Sequence, residues 1–157
     1  MGMRTSKYAR SRRYVSIFPL LLQHLAPGDP RLARLIAVAA SPDALLSSAG
    51  LRSLSRGDKA YRQGDDYWRG KVWINCNFLA LQALHRYMRE PAAGAVAAAA
   101  GELYGTLRRA VLESMAAAFR STGFLWENYD DRTGEGTGTK PFTGWSALAL
   151  LILSERY

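Results

Sequence analysis

Residues 74–88 read INCNFLALQALHRYM. Ile74, Phe78, Leu81, Leu84 and Met88 recur there at intervals of three and four, which puts one apolar stripe on an α-helix of about sixteen residues. Working outward, Leu103, Leu107, Val111, Ser114 and Ala118 repeat the pattern on a longer helix that starts within the alanine-rich residues 92–100. Alanine is the best helix former, so that low-complexity run needs no functional explanation. Toward the C-terminus, Thr143 is placed to cap a last helix whose Trp145, Leu148 and Ile152 face one way. Toward the N-terminus, residues 16–25 and 30–40 form a short helical pair divided by APGDP, in which Asp29 can cap and Pro30 can take the first helical position. Almost nothing alternates with the period of a strand, and the expected fold class is all-α.

The chain has 157 residues, 48% hydrophobic and 22% charged, which suits one globular domain and is too apolar for a largely disordered chain. No run approaches the ~18 to 20 apolar residues of a membrane span, so no membrane contact is expected from this segment. With one cysteine, Cys76, and two histidines, His24 and His85, neither a disulfide nor a zinc site can be assembled, and no structural metal is expected. The net charge is +8, but five of the positive charges (Arg4, Lys7, Arg10, Arg12, Arg13) lie in the first thirteen residues. Residues 1–13 therefore read as a basic, flexible extension, with 14–157 as the folded part. No basic face with interleaved aromatics is present, so nucleic acid is not an expected partner. The basic start followed by VSIFPLLLQHLA also has the layout of a signal peptide, with Ala26 near a cleavage point. Pro19 inside the apolar run argues for a buried helix instead.

Two connections are long for a compact domain, residues 41–72 and 121–142, and long ordered loops are usually functional. They hold Tyr61, Tyr67, Trp68, Trp126, Tyr129 and Phe142, an aromatic density that argues for order. If successive helices run antiparallel, the two loops leave the bundle at the same end. The site is expected there.

Catalytic candidates are carboxylates, because Cys76 has no obvious partner and neither histidine lies in a suitable loop. Glu127 stands out in FLWENYD, between Trp126 and Tyr129 and ahead of a loop with Gly134, Gly136, Gly138 and Gly144. Aromatic faces beside a carboxylate suit a sugar, whose C–H face stacks on a ring while its hydroxyls take polar partners. YWRGKVWINCN (67–77) offers Tyr67, platforms in Trp68 and Trp73, a fork of donors in Arg69, and amides in Asn75 and Asn77. The residues alone leave a plainer alternative open. In it the tryptophans are core anchors, Arg69 pairs with Asp65 or Asp66, and Glu127 is a loop carboxylate bonded to backbone amides.

YVSIFPLLL (14–22), GLRSLSR (50–56), YWRGKVWINCNFLALQALHRY (67–87), TGFLWENYD (122–130) and GTKPFTGWSALALLILSERY (138–157), in this order, resemble the C-terminal part of glycoside hydrolase family 63, the family of the processing α-glucosidases. The resemblance covers residues 14–157. It implies a segment of an (α/α)6 barrel, a helical toroid, whose activity removes the terminal α-1,2-linked glucose from the Glc3Man9GlcNAc2 N-glycan precursor in the lumen of the endoplasmic reticulum, with inversion and without a cofactor. Through LWENY it also implies that Glu127 is the general base. The chemistry of the two aromatic loops makes Tyr67, Trp68, Arg69, Trp73, Asn75, Trp126, Tyr129 and Phe142 the expected substrate-binding set. The family's general acid is an Asp upstream of the YVSIFPLLL block, and no counterpart is found here. Five helices are too few for a barrel of twelve, so the chain is expected to be a fragment whose partners are a glucosylated N-glycan or related α-glucoside and the upstream part of the same catalytic domain. The alternative expectation is a non-catalytic sugar-binding or helical interaction module derived from the glycosidase.

Overall fold

The computed structural model describes residues 12–157, so most of the basic extension expected at 1–13 lies outside the described residues. Five α-helices follow in order: α1 (Tyr14–Leu21), α2 (Pro30–Ala40), α3 (Ile74–Tyr87), α4 (Ala95–Thr122) and α5 (Ala149–Leu153). The Asp29 side chain accepts the backbone N–H of Arg31 at 2.8 Å with Pro30 at the first helical position, the start that the sequence pattern calls for. Gly123, at φ 75°, closes α4, its N–H bonding to the Phe119 carbonyl at 2.7 Å.

α3 is the centre. It packs along α4 and against α1, and α2 lies on α1 and α4. Ile74, Leu81, Leu84 and Tyr87 are buried on its inner face, and Leu103, Leu107, Val111 and Met115 answer from α4. Phe78 and Ser114, both expected on the stripes, are half-buried instead, and Asn77 and Met115 take the interior positions beside them.

Asn77 is a polar residue that the interior uses. Its amide oxygen accepts the Leu51 N–H at 2.7 Å, and its nitrogen donates to the Trp73 carbonyl at 2.8 Å and to the Leu51 carbonyl at 3.1 Å. The Tyr14 hydroxyl joins this knot, donating to the Leu51 carbonyl and accepting from the Trp73 N–H at 3.2 Å. One buried cluster thus ties α1, the 50–51 segment and the start of α3, and it leaves none of these backbone groups without a partner.

Two features differ from the sequence expectation. First, short antiparallel ladders exist: β1 (Leu46–Ser47) with β2 (Gly50–Leu51), and β3 (Asn128–Tyr129) with β4 (Gly136–Thr137). Two-residue strands are too short to show a period in sequence. Second, Thr143 does not cap the last helix. The turn before α5 is a 3-10 helix (Trp145–Leu148) with Gly144 at its N-cap. Tertiary bonds from Trp145 and Ser146 to the carbonyls of Glu127 and Trp126 hold that turn in place of a side-chain cap.

Candidate functional site

The two long loops meet through their backbones. Val72 and Tyr129 exchange both hydrogen bonds, at 2.8 and 3.0 Å, and Arg52 pairs with Val72 on the other side. The 50s loop, the entry to α3 and the WENYD strand therefore form one small platform. Glu127 lies two residues before the Tyr129 rung, and its own N–H bonds to the Thr139 carbonyl at 3.0 Å.

The Glu127 carboxylate is half-buried and held at both oxygens. Oε1 accepts the Tyr67 hydroxyl, and Oε2 accepts the Thr139 N–H at 3.1 Å. The Tyr67 bond lowers the Glu127 pKa, slight burial opposes it, and the Thr139 N–H adds to the lowering. The net result is a carboxylate held below its ordinary range and ionised at neutral pH. Tyr67 is shifted the opposite way, chiefly because ionising it would break the same bond.

Around this carboxylate the aromatics form a chain. Tyr67 meets the Trp73 ring edge to face at 4.6 Å, Trp68 stacks flat on Trp73, Trp145 lies 5.6 Å from Trp73, and Phe142 lies 4.7 Å from Trp145. The Trp73 indole N–H donates to the Tyr67 carbonyl at 3.1 Å, and that of Trp145 to the Glu127 carbonyl at 2.6 Å. Trp68 and Tyr67 are exposed, at 49% and 38%, and are the surfaces that a sugar ring can reach.

The remaining sequence candidates have other occupations. Trp73 and Tyr129 are fully buried, so both support the site from beneath. Trp126 donates its indole N–H to Thr122 at 3.1 Å, while Gly136 lies against its ring and the Lys140 ammonium sits 4.6 Å from the ring centroid. The Asn75 oxygen accepts the Cys76 N–H at 2.8 Å in the first turn of α3. Arg69 turns back on its own loop, donating to the Gln63 carbonyl at 2.7 Å, and does not pair with Asp65 or Asp66. Burial pushes the Cys76 thiol up to about 11, which makes it a poor nucleophile at neutral pH.

Sequence reasoning passes over two parts of the site, Trp145 and Arg52, and names Gly138 only as one of four loop glycines. Trp145 reads in sequence as one apolar position of a helix, although its place in a glycine-rich stretch is the signal that it serves a loop. Gly138, at φ +77°, brings its backbone so close that a Cβ there would fall 2.6 Å from Glu127 Oε2 and 2.8 Å from Asn128 Nδ2. Arg52, a lone charge inside GLRSL, is 6% exposed and reaches Asp131 at 2.9 Å.

Among the described residues no helix is long and apolar enough to cross a membrane, and no group of three or more His, Cys, Asp and Glu side chains is placed to hold a metal ion.

The chain matches the Glycosyl hydrolase family 63 C-terminal domain over residues 2–155. It is 39% identical over 145 residues to a probable mannosyl-oligosaccharide glucosidase of Schizosaccharomyces pombe, covering 92% of this chain and 18% of the relative. It is 35% identical over 142 residues to the mannosyl-oligosaccharide glucosidase of Saccharomyces cerevisiae, covering 89% and 17%. Among solved structures it resembles the family 63 mannosylglycerate hydrolase of Thermus thermophilus in complex with glucose, with a TM-score of 0.61 and 28% identity over 92% of this chain and 32% of that one. The chain thus spans less than a fifth of the length of these two curated relatives. With the family match running through the loops that carry Tyr67, Trp68 and Glu127, the chain belongs to glycosyl hydrolase family 63.

Proposed function

We propose that this chain is the base-bearing segment of an inverting exo-α-glucosidase that trims the terminal α-1,2-linked glucose from the Glc3Man9GlcNAc2 N-glycan precursor in the lumen of the endoplasmic reticulum. The observation that carries the reading is the Glu127 carboxylate, kept ionised by Tyr67 and Thr139 beside an exposed indole, in a family of glycosidases. In the reaction Glu127 takes a proton from water, the water oxygen bonds to the anomeric carbon, and the bond to the departing sugar oxygen breaks as an acid protonates it. Inverting enzymes place the two carboxyl groups ~6.5 to 9.5 Å apart to leave room for that water. The acid comes from a segment preceding residue 14. No cofactor enters this scheme.

The same reading makes residues 14–157 the closing part of an (α/α)6 barrel. Its support is the apolar surface that the helices leave open: Leu150, Leu151 and Leu153 on α5, Val15 and Phe18 on α1, and Phe119 near the end of α4. Such faces ask for packing partners, and the upstream helices of the barrel would supply them.

The test is glucose release from a triglucosylated glycan by the full-length enzyme, by its Glu127→Gln variant and by the 157-residue chain alone. The full-length enzyme should turn over, the nearly isosteric variant should be inactive yet folded, and the short chain should be inactive, since general acid assistance alone is worth ~10² to 10⁴ in rate. Turnover by the Glu127→Gln variant would assign the base to another carboxylate. A full-length protein that binds glycan without turnover would be a sugar-binding module instead.

A further inference from the structure

Behind the site lies a cluster of charges that the chemistry above does not use. Asp131 is buried, and its carboxylate accepts from Arg52 Nε at 2.9 Å, from the Tyr61 hydroxyl at 2.7 Å and from Arg62 at 2.8 Å. The other arm of the Arg62 guanidinium reaches Asp130 at 2.8 Å, and Lys71 approaches the same oxygen at 3.4 Å. Arg52 Nη1 donates to the carbonyls of Pro42 and Ala44, at 2.7 and 3.2 Å. Every charge in the cluster has a partner of opposite sign, which is the condition under which buried ions hold a geometry rather than disturb it.

The cluster joins two segments of one site. Asp130 and Asp131 follow Glu127 by three and four residues, while Tyr61, Arg62 and Lys71 bracket the loop whose outer part carries Tyr67 and Trp68. That loop is closed on itself at its base, where the Arg62 N–H bonds to the Arg69 carbonyl at 2.7 Å, and the Ser53 N–H ties it to the 50s segment through the Lys71 carbonyl at 3.0 Å. Arg62 adopts φ +55°, a conformation that costs a non-glycine residue about 1 kcal/mol or more and needs its surroundings to hold it. The bidentate fork across Asp130 and Asp131 supplies that hold.

We infer that Arg62, with Asp130 and Asp131, is a positioning device for the candidate base: the fork fixes the 61–70 loop against the WENYD strand, so that the Tyr67 hydroxyl meets the Glu127 carboxylate. This rests on the reading of Glu127 as the general base and adds to it the residues that place the base. The ionisable groups facing Glu127 are Tyr67 and, behind it, Asp65, both on the clamped loop, while the opposite contact is the uncharged Thr139 N–H and Lys140 is taken up by Trp126. Loosening the fork therefore acts on Glu127 through Tyr67.

The experiment is the pH profile of kcat/KM for the full-length enzyme, whose acid limb reports the base of the free enzyme. Tyr67→Phe removes the bond that favours the ionised carboxylate, so its acid limb moves to higher pH. Arg62→Gln should move the limb the same way and lower kcat about tenfold or more with KM within about threefold, as misplacement of a catalytic group does. The Tyr67→Phe/Arg62→Gln double variant should be no worse than Tyr67→Phe alone, because both act through one contact. Arg62→Lys keeps the charge without the fork and should fall between wild type and Arg62→Gln; it carries the same test where Arg62→Gln does not fold. An Arg62 variant whose acid limb stays at the wild-type position while that of Tyr67→Phe moves, or a double variant whose losses multiply, overturns the inference. Turnover by Glu127→Gln would instead remove the base assignment, and the clamp's catalytic purpose with it.

Discussion

The Trp68 indole lies flat on that of Trp73, their centroids 3.9 Å apart and their planes within 8°, and of the two only Trp68 reaches solvent. Two neighbouring tryptophans with the same apparent role in the sequence therefore have different ones. Trp68→Ala should leave the fold nearly intact and weaken glycan binding about tenfold or more, since it removes an exposed stacking face. Trp73→Ala should destabilise the protein by about 3 to 5 kcal/mol, because it empties a filled interior site. Thermal melts beside glycan titrations separate the two, and equal loss of stability in both variants would refute the division.

Acid should loosen the clamp. Burial pushes the Asp130 carboxyl up, but the Arg62 guanidinium and the N–H groups of Arg132 and Thr133 more than reverse this and leave it below the usual carboxylate range. An unfolded aspartate titrates near about 3.9, so folding favours the ionised form. The stability from that preference is whole above about pH 5 and drains away as the pH falls through the lower, folded value. The gap in melting temperature between wild type and Asp130→Asn should thus narrow steadily below about pH 4. A gap independent of pH would mean that Asp130 contributes by shape alone.

Asn77→Ala should be among the most damaging changes to the fold. It strands the Leu51 N–H, which loses its 2.7 Å partner, and removes donors to the carbonyls of Trp73 and Leu51. Each buried polar group left unpaired costs about 1 to 3 kcal/mol, so a loss of about 2 to 4 kcal/mol is expected. Chemical denaturation of the purified variant measures it, and a loss under about 1 kcal/mol would show that water replaces the amide.

Asn77 also shows where the sequence stops being legible. Its helix could be read from the spacing of Ile74, Leu81 and Leu84, because helical period survives in any tertiary setting. Its role could not, because the partners come from Leu51 and Tyr14, far away in the chain. Glu127 was readable as a candidate because its aromatic neighbours carry chemistry in their own side chains. Trp126 and Arg69 share that composition, yet local contacts with Lys140, Thr122 and Gln63 occupy them, and no spacing rule reveals such contacts. The Thr143 cap failed for a similar reason, as the bonds from Trp145 and Ser146 to the WEN segment decide how that turn begins.

Gly138→Ala should displace the proposed base while leaving its own side chain unchanged. Gly138 sits at φ +77°, where an L-residue pays about 1 to 2 kcal/mol, an amount that a packed domain can absorb. The new methyl group would stand 2.6 Å from Glu127 Oε2 and 2.8 Å from Asn128 Nδ2, closer than atoms can approach. Asn128 is fully buried and its oxygen is engaged by Thr137, so the carboxylate, which is only half-buried, is the group that yields. Its displacement breaks the 3.1 Å bond from the Thr139 N–H and shifts the carboxylate proposed as the base. In the full-length enzyme, kcat should fall about 10²-fold, with KM nearly unchanged because the Trp68 face is untouched. Steady-state glucose release and a thermal melt on the same preparation check this. A folded Gly138→Ala variant with wild-type kcat would show that the Glu127 position fixed by this backbone contact is not the one used in turnover.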